Sequence, residues 1–142
     1  EKWMVRGFPK PNDIFFVTEG HTMGFVALNT RTDDFALAQR MITLQPAVHF
    51  DTKYFYYYML SNYFQRLIRI NATGATAKGM KSSRFRNLPL PFPSLQEQKA
   101  IIEKLDSLKI EIDKLNKTYQ HELNNVVEFK QSILQEAFNG TL

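Results

Sequence analysis

At 142 residues, 44% of them apolar and 23% charged, the chain is long enough for one domain with its own core and too apolar to be wholly disordered. Lys and Arg number 18 against 14 Asp and Glu, a formal +4, and the absence of cysteine excludes a disulfide scaffold and every Cys-bearing zinc, iron–sulfur or thiol-nucleophile site. The longest apolar run, residues 54–60, falls far short of the roughly 18 residues a membrane span needs, and with no leader and an opening at Glu1 that reads as mid-domain, we expect a piece of a soluble, cytoplasmic protein.

Pro9, Pro11, Asn12 and Asp13 are turn formers. Residues 14–17 form a short β-rich run and predict a strand. A polar loop with two glycines follows over residues 18–24, then a second strand over 25–28, a turn over 29–34, and a third strand over 40–44 stopped by Pro46. Strands this close in sequence predict a small antiparallel or mixed sheet. The segment is short for a complete β domain.

Asp51 stands where a helix N-cap is expected. From it Tyr56, Leu60, Tyr63, Leu67 and Ile70 recur at steps of four and three, which predicts one helix of roughly five turns with a single apolar stripe. Tyr57, Phe64 and Ile68 widen that stripe, and Arg66 and Arg69 fall at its edge. The aromatic cluster of residues 54–58 reads as a base-stacking platform or as core; helical spacing favours core.

This helix opens a window of unusual charge. Residues 52–96 hold Lys53, Arg66, Arg69, Lys78, Lys81, Arg84 and Arg86 and no acidic side chain, whereas the flanking segments are each slightly acidic. Such a window repels itself unless something anionic lies against it, and nucleic acid phosphate is the usual answer. A solvated basic face balanced by acids elsewhere in the fold reads equally well from composition.

Residues 71–79 form a loop of small and hydroxyl side chains. Gly74 and Gly79 stand five apart with Lys81 and Ser82 near by, yet Met80 follows Gly79 and a helix precedes the loop, so a nucleotide-binding P-loop does not match. A loop of this kind still approaches a nucleic acid backbone closely. Ser82 or Ser83 is expected to cap a short helix through Arg86. Pro89, Pro91 and Pro93 then alternate with apolar residues, which predicts an extended connector and a boundary between two units, residues 1–93 and 94–142.

Ser94 and Glu97 are spaced as a capping box, and neither Gly nor Pro follows until Gly140. One long helix is expected from Ser94 to Asn139. Ile101, Leu105, Leu108, Ile112, Leu115 and Tyr119 alternate steps of four and three, the pattern of a coiled-coil seam. Leu123 comes four later, a stutter, after which Val126, Ile133 and Ala137, with Val127, Leu134 and Phe138, continue a broader face. A second long helix is needed against it, from another part of the same protein or from another copy.

No catalytic pattern emerges. His21, His49 and His121 are scattered, no dinucleotide fingerprint or methyl-transfer motif occurs, and Asp13 and Glu19 lack the lysine a nuclease site needs. These residues read as turn chemistry and surface charge.

Residues 71–102 resemble the end of a target-recognition domain in the DNA-specificity subunit of type I restriction–modification enzymes. The most specific part is Pro-Leu-Pro-Phe-Pro-Ser-Leu-Gln-Glu-Gln-Lys over residues 89–99, followed by a long helix ending Gln-Ser-Ile-Leu-Gln-Glu-Ala-Phe-Asn-Gly-Thr-Leu over 131–142. Residues 12–20, 35–46 and 54–66 resemble that domain's strands and long helix. Such domains are longer, and the chain resembles the last part of one repeat. The resemblance implies an α+β fold: a partial target-recognition domain with a small sheet and helices, then one long coiled-coil helix. It also implies a non-catalytic subunit reading one half of a split target in double-stranded DNA. Its helix would set the spacing and dock methyltransferase (modification) subunits, with the restriction subunit engaged indirectly. S-adenosylmethionine, ATP and Mg²⁺ would belong to those partners and not to this chain.

On loop character and charge, the expected phosphate contacts are Lys78, Lys81 and Arg84, with Arg69 and Arg86. Base-edge contacts are expected from Thr18, Glu19, His21 and Thr22, and from Thr73 and Thr76. The competing expectation is a coiled-coil oligomerisation module without DNA readout.

Overall fold

The computed structural model describes residues 7–45, 47, 49–74 and 78–140. Three strands, β1 (Ile14–Val17), β2 (Val26–Leu28) and β3 (Met41–Leu44), form one antiparallel sheet in the order β2-β1-β3. β1 is central, which suits its unbroken Ile-Phe-Phe-Val sequence. Ile14 stands opposite both Leu28 and Leu44, and Phe16 opposite Val26 and Ile42. Alternation sends Ile14 and Phe16 into the core, where they pack with Met59, Phe64, Ile68 and Met80. Phe15 turns the other way and meets Phe35 edge-on at 5.8 Å.

The turn before β1 is exposed at residues 10–12 and rests on two buried polar side chains, Asp13 and Asn29. Asp13 accepts the Lys10 N–H at 2.8 Å, and Asn29 donates to the Lys10 carbonyl at 2.8 Å. The strand over residues 25–28 loses its first residue. Phe25 donates to the Thr22 carbonyl in a turn at 3.0 Å, and its side chain is exposed. The expected stop of β3 at Pro46 falls on a residue outside the described set.

Asp51 caps α1 (Thr52–Leu60), accepting from the backbone N–H groups of Lys53 and Tyr54. The single five-turn helix expected here is two helices, α1 and α2 (Asn62–Asn71), broken at Ser61. Ser61 sits in an extended conformation (φ −64°, ψ 146°), and its hydroxyl accepts the Phe64 N–H as the cap of α2. Serine offers the backbone this alternative to a continued ladder. The break resets the helical phase. Leu60, Tyr63 and Ile70 of the expected stripe are therefore exposed, and Tyr54, Met59, Phe64 and Ile68 make the buried face. The aromatic cluster belongs to the core. Tyr54 is buried, the Tyr58 and Phe64 rings meet at 5.2 Å, and burial pushes both the Tyr54 and Tyr58 phenols above their ordinary pKa.

α3 (Ser82–Arg86) is capped by neither serine. Ser82 is its first helical residue, and Lys81 takes the cap position without a side-chain bond. The proline-rich connector has no regular structure and leads to α4 (Leu95–Asn139), 45 residues or about 68 Å at the rise of an α-helix. The capping box forms as expected. The Ser94 N–H donates to a Glu97 carboxylate oxygen at 2.8 Å, and the Glu97 N–H donates to the Ser94 hydroxyl at 3.3 Å.

The chain divides into a compact unit ending at Ile102 and a second unit from Glu103 onward. Gln98 and Ile102 of α4 are buried in the first. In the second, every described side chain from residue 107 on is exposed, including Leu108, Ile112, Leu115, Tyr119, Leu123 and Val126 of the expected seam. Among the described residues no helix is long and apolar enough to cross a membrane.

Candidate nucleic-acid interface

Two loops far apart in sequence meet at one end of β1. The Thr18 carbonyl accepts the Met80 N–H at 2.7 Å, and the Lys78 carbonyl accepts the Gly20 N–H at 3.1 Å. Thr73 and Gly79 exchange backbone bonds of 2.9 and 2.8 Å, so the segment leaving α2 folds back on itself before running beside residues 18–20. Gly79 bridges both Thr73 and Glu19. A Cβ there would lie 3.4 Å from the Glu19 Cβ and 3.6 Å from the Thr18 carbonyl, at the tight end of ordinary contact.

The meeting leaves a depression of about 450 Å³ lined by Thr18, Glu19, Thr73, Gly74, Gly79, Met80 and Lys81. Lys78 and Lys81 are exposed beside it. A third strand end closes the group. The carbonyl of Arg40 accepts both the N–H and the hydroxyl of Thr18, at 2.8 and 3.0 Å. The Arg40 Nε lies 3.2 Å from Glu19 Oε1, with both side chains about half exposed. A pair this wet adds little stability.

Of the residues expected to touch DNA, Thr18, Glu19, Thr73, Lys78 and Lys81 are thus brought together. His21 and Thr22 are exposed on the loop that follows. Thr18 and Thr73 face this edge with committed groups, the Thr18 hydroxyl on the Arg40 carbonyl and the Thr73 backbone on Gly79. Arg69 is exposed in the last turn of α2, where a cation suits the helix dipole. Arg84 donates through Nη1 to the Asn71 carbonyl at 3.1 Å, holding α3 to the end of α2. Arg86 lines a different groove of about 800 Å³, formed with Phe8, Ile42, Phe55, Phe85 and Leu88. Thr76 lies outside the described residues. Arg40 is the one member sequence reading missed. It precedes a strand and stands 22 positions from the threonine it binds, so no local pattern marks it.

A family described as the type I restriction modification DNA specificity domain matches residues 6–125. The specificity subunit of the type I restriction enzyme StySPI of Salmonella potsdam is 30% identical over 99 residues, 70% of this chain and 21% of that protein. The EcoBI specificity subunit of Escherichia coli is 31% identical over 106 residues, 75% of this chain and 22% of that protein. The chain therefore spans about a fifth of the length of these relatives. A crystal structure of a type I restriction-modification S subunit from M. genitalium superposes with a TM-score of 0.56 at 26% identity, over 78% of this chain and 29% of that one. The small antiparallel sheet, its helices and the long terminal helix match that fold, and the chain belongs to the family of type I restriction modification DNA specificity domains.

Proposed function

We propose that this chain is the DNA-reading part of a type I specificity subunit, as its relatives' names suggest, and that it reads one half of a bipartite target in double-stranded DNA. The observation that carries the reading is the convergence of residues 18–20 with the lysine-bearing residues 78–81, beside Thr73, at one edge of the sheet. Lys78, Lys81 and Arg84, with Arg69 and Arg86, hold phosphates. Thr18, Glu19, His21, Thr22, Thr73 and Thr76 face base edges. The chain itself is non-catalytic in this reading. Residues 94–142 act as a spacer, and the exposed stripe of α4 takes a second long helix and docks methyltransferase subunits. The restriction subunit is reached through them, and S-adenosylmethionine, ATP and Mg²⁺ serve those partners.

Charge reversal tests the basic edge. Lys78→Glu with Lys81→Glu is expected to weaken binding to random duplex DNA at every sequence. Each lost phosphate contact lowers the slope of log K against log salt by about 0.9, so the double variant should lose about two. Unchanged affinity and slope would remove this edge as the DNA face. A coiled-coil module without DNA readout is favoured by the exposed run from Leu108 to Val126. That reading leaves the acid-free window without a role, and failure of the unaltered chain to retard random duplex at low salt would support it.

A further inference from the structure

We propose that the outward face of α2, centred on Arg66, is a second line of contact to the DNA backbone. The proposal rests on the DNA-reading assignment above and extends it to three residues it does not include, Asn62, Tyr63 and Arg66. α2 is pinned by its inner side. Phe64 and Ile68 are buried, and Gln65 Nε2 donates to the Gly24 and Met59 carbonyls, each at 2.8 Å. The opposite side is exposed at Asn62, Tyr63, Arg66, Arg69 and Ile70. The other four stand three and four positions to either side of Arg66, so the five side chains make one patch.

Nothing acidic stands in that patch or anywhere in residues 52–96. Arg66 and Arg69 are like charges one turn apart, an arrangement that costs a helix stability. Among the described residues neither arginine meets a carboxylate. The helix dipole accounts for Arg69, in the last turn, and not for Arg66. An anion outside the chain balances the pair, and arginine, asparagine and tyrosine side chains all hydrogen-bond phosphate. The helical rise sets Asn62, Arg66 and Arg69 along about 10 Å. Thr73, which lines the depression, follows two residues after the last residue of α2, so the patch continues the candidate interface. A run of phosphates leaving that edge along α2 meets Arg69, Arg66 and Asn62 in turn.

The test is the salt dependence of binding to random duplex DNA, run on the full chain. Arg66→Gln should weaken binding and flatten the slope of log K against log salt by about 0.9, the value of one phosphate contact. The affinity the chain loses between 50 and 200 mM salt should then shrink by about threefold. Arg66→Lys should keep the slope, because an ammonium serves a phosphate as a point charge. Arg31→Gln is the control. Arg31 is exposed and paired with Asp33, outside the acid-free window, so its replacement lowers the net charge equally and should leave the slope unchanged. An unchanged slope in Arg66→Gln overturns the proposal and leaves the face to a protein partner. An equal drop in Arg31→Gln also overturns it, by reducing the effect to net charge. The Lys78→Glu, Lys81→Glu double variant separates the two readings. A slope lowered by that variant and untouched by Arg66→Gln removes α2 alone. No binding of random duplex by the unaltered chain removes the DNA reading and the role of α2 together.

Discussion

Gln98, with no exposed surface, accepts the backbone N–H of Asp51 at 2.8 Å and donates to the Pro93 carbonyl at 2.9 Å. Asp51 is the residue whose carboxylate caps α1. One amide on α4 therefore serves the start of the first helix and the end of the proline-rich connector together. Replacement by leucine keeps the bulk and orphans both backbone groups. A buried group left unpaired costs about 1–3 kcal/mol, so Gln98→Leu, which orphans two, should lower stability by roughly 2–6 kcal/mol. Urea unfolding reads this as a lower midpoint at unchanged slope. A midpoint equal to that of the unaltered chain would show that water replaces both bonds.

Gly24 and Gln65 form a second coupled pair. Gln65 Nε2 donates to the Gly24 carbonyl and to the Met59 carbonyl, each at 2.8 Å. Gly24 has φ +94°, and a Cβ there would lie 2.8 Å from Gln65 Oε1. Gly24→Ala thus meets a conformational penalty of about 1–3 kcal/mol and a steric one. In a Gln65→Ala background only the first remains. A double-mutant cycle should find the pair costing less than the sum of the single changes. Strict additivity would mean that the glutamine swings aside freely.

Local chemistry was legible in the sequence where a signal lies within a few residues. The Ile-Phe-Phe-Val strand, the Asp51 cap and the Ser94–Glu97 box each need neighbours no more than four positions away. What escaped depends on distant partners. The apolar steps across residues 56–70 fit one helix, and only the packing of Phe64 and Ile68 on the sheet makes the break at Ser61 worthwhile. Gln98, polar and mid-helix, gives no sign of burial until Asp51, 47 positions earlier, is placed against it. The candidate site behaves alike. Its lysines and hydroxyls stand out as loop residues, whereas the pairing of Arg40 with Glu19 exists only once β1 and β3 lie side by side.

The helix break can be measured on its own. Ser61→Ala removes the hydroxyl that accepts the Phe64 N–H at 3.2 Å. Loss of such a cap costs about 1 kcal/mol. The N–H of Ser61 still bonds to the Tyr58 carbonyl at 3.0 Å, so α1 should keep its end and the loss should fall on α2. Hydrogen exchange should quicken in the first turn of α2 and stay unchanged through α1. Equal acceleration in both helices would show that Ser61 holds them as one unit.

The capping box should leave a trace in acid. The Ser94 hydroxyl, and after it the Ser94 backbone N–H, donate to the Glu97 carboxylate and hold its pKa below the ordinary value of 4.5. A carboxyl whose pKa is lower folded than unfolded contributes stability above the unfolded value, and that contribution is lost as pH falls through the folded value. Ser94→Ala removes the hydroxyl bond and brings the folded pKa back toward 4.5. The stability gap between the unaltered chain and Ser94→Ala should then be constant above pH 4.5 and narrow on further acidification. It should not close, because the Ser94 oxygen also accepts the Glu97 N–H, a bond indifferent to pH. Residues 95–102 belong to the compact unit, so urea midpoints of that unit report the change. A gap that stays flat on acidification would mean that the Glu97 carboxylate interacts no more strongly with Ser94 in the folded chain than with water in the unfolded one.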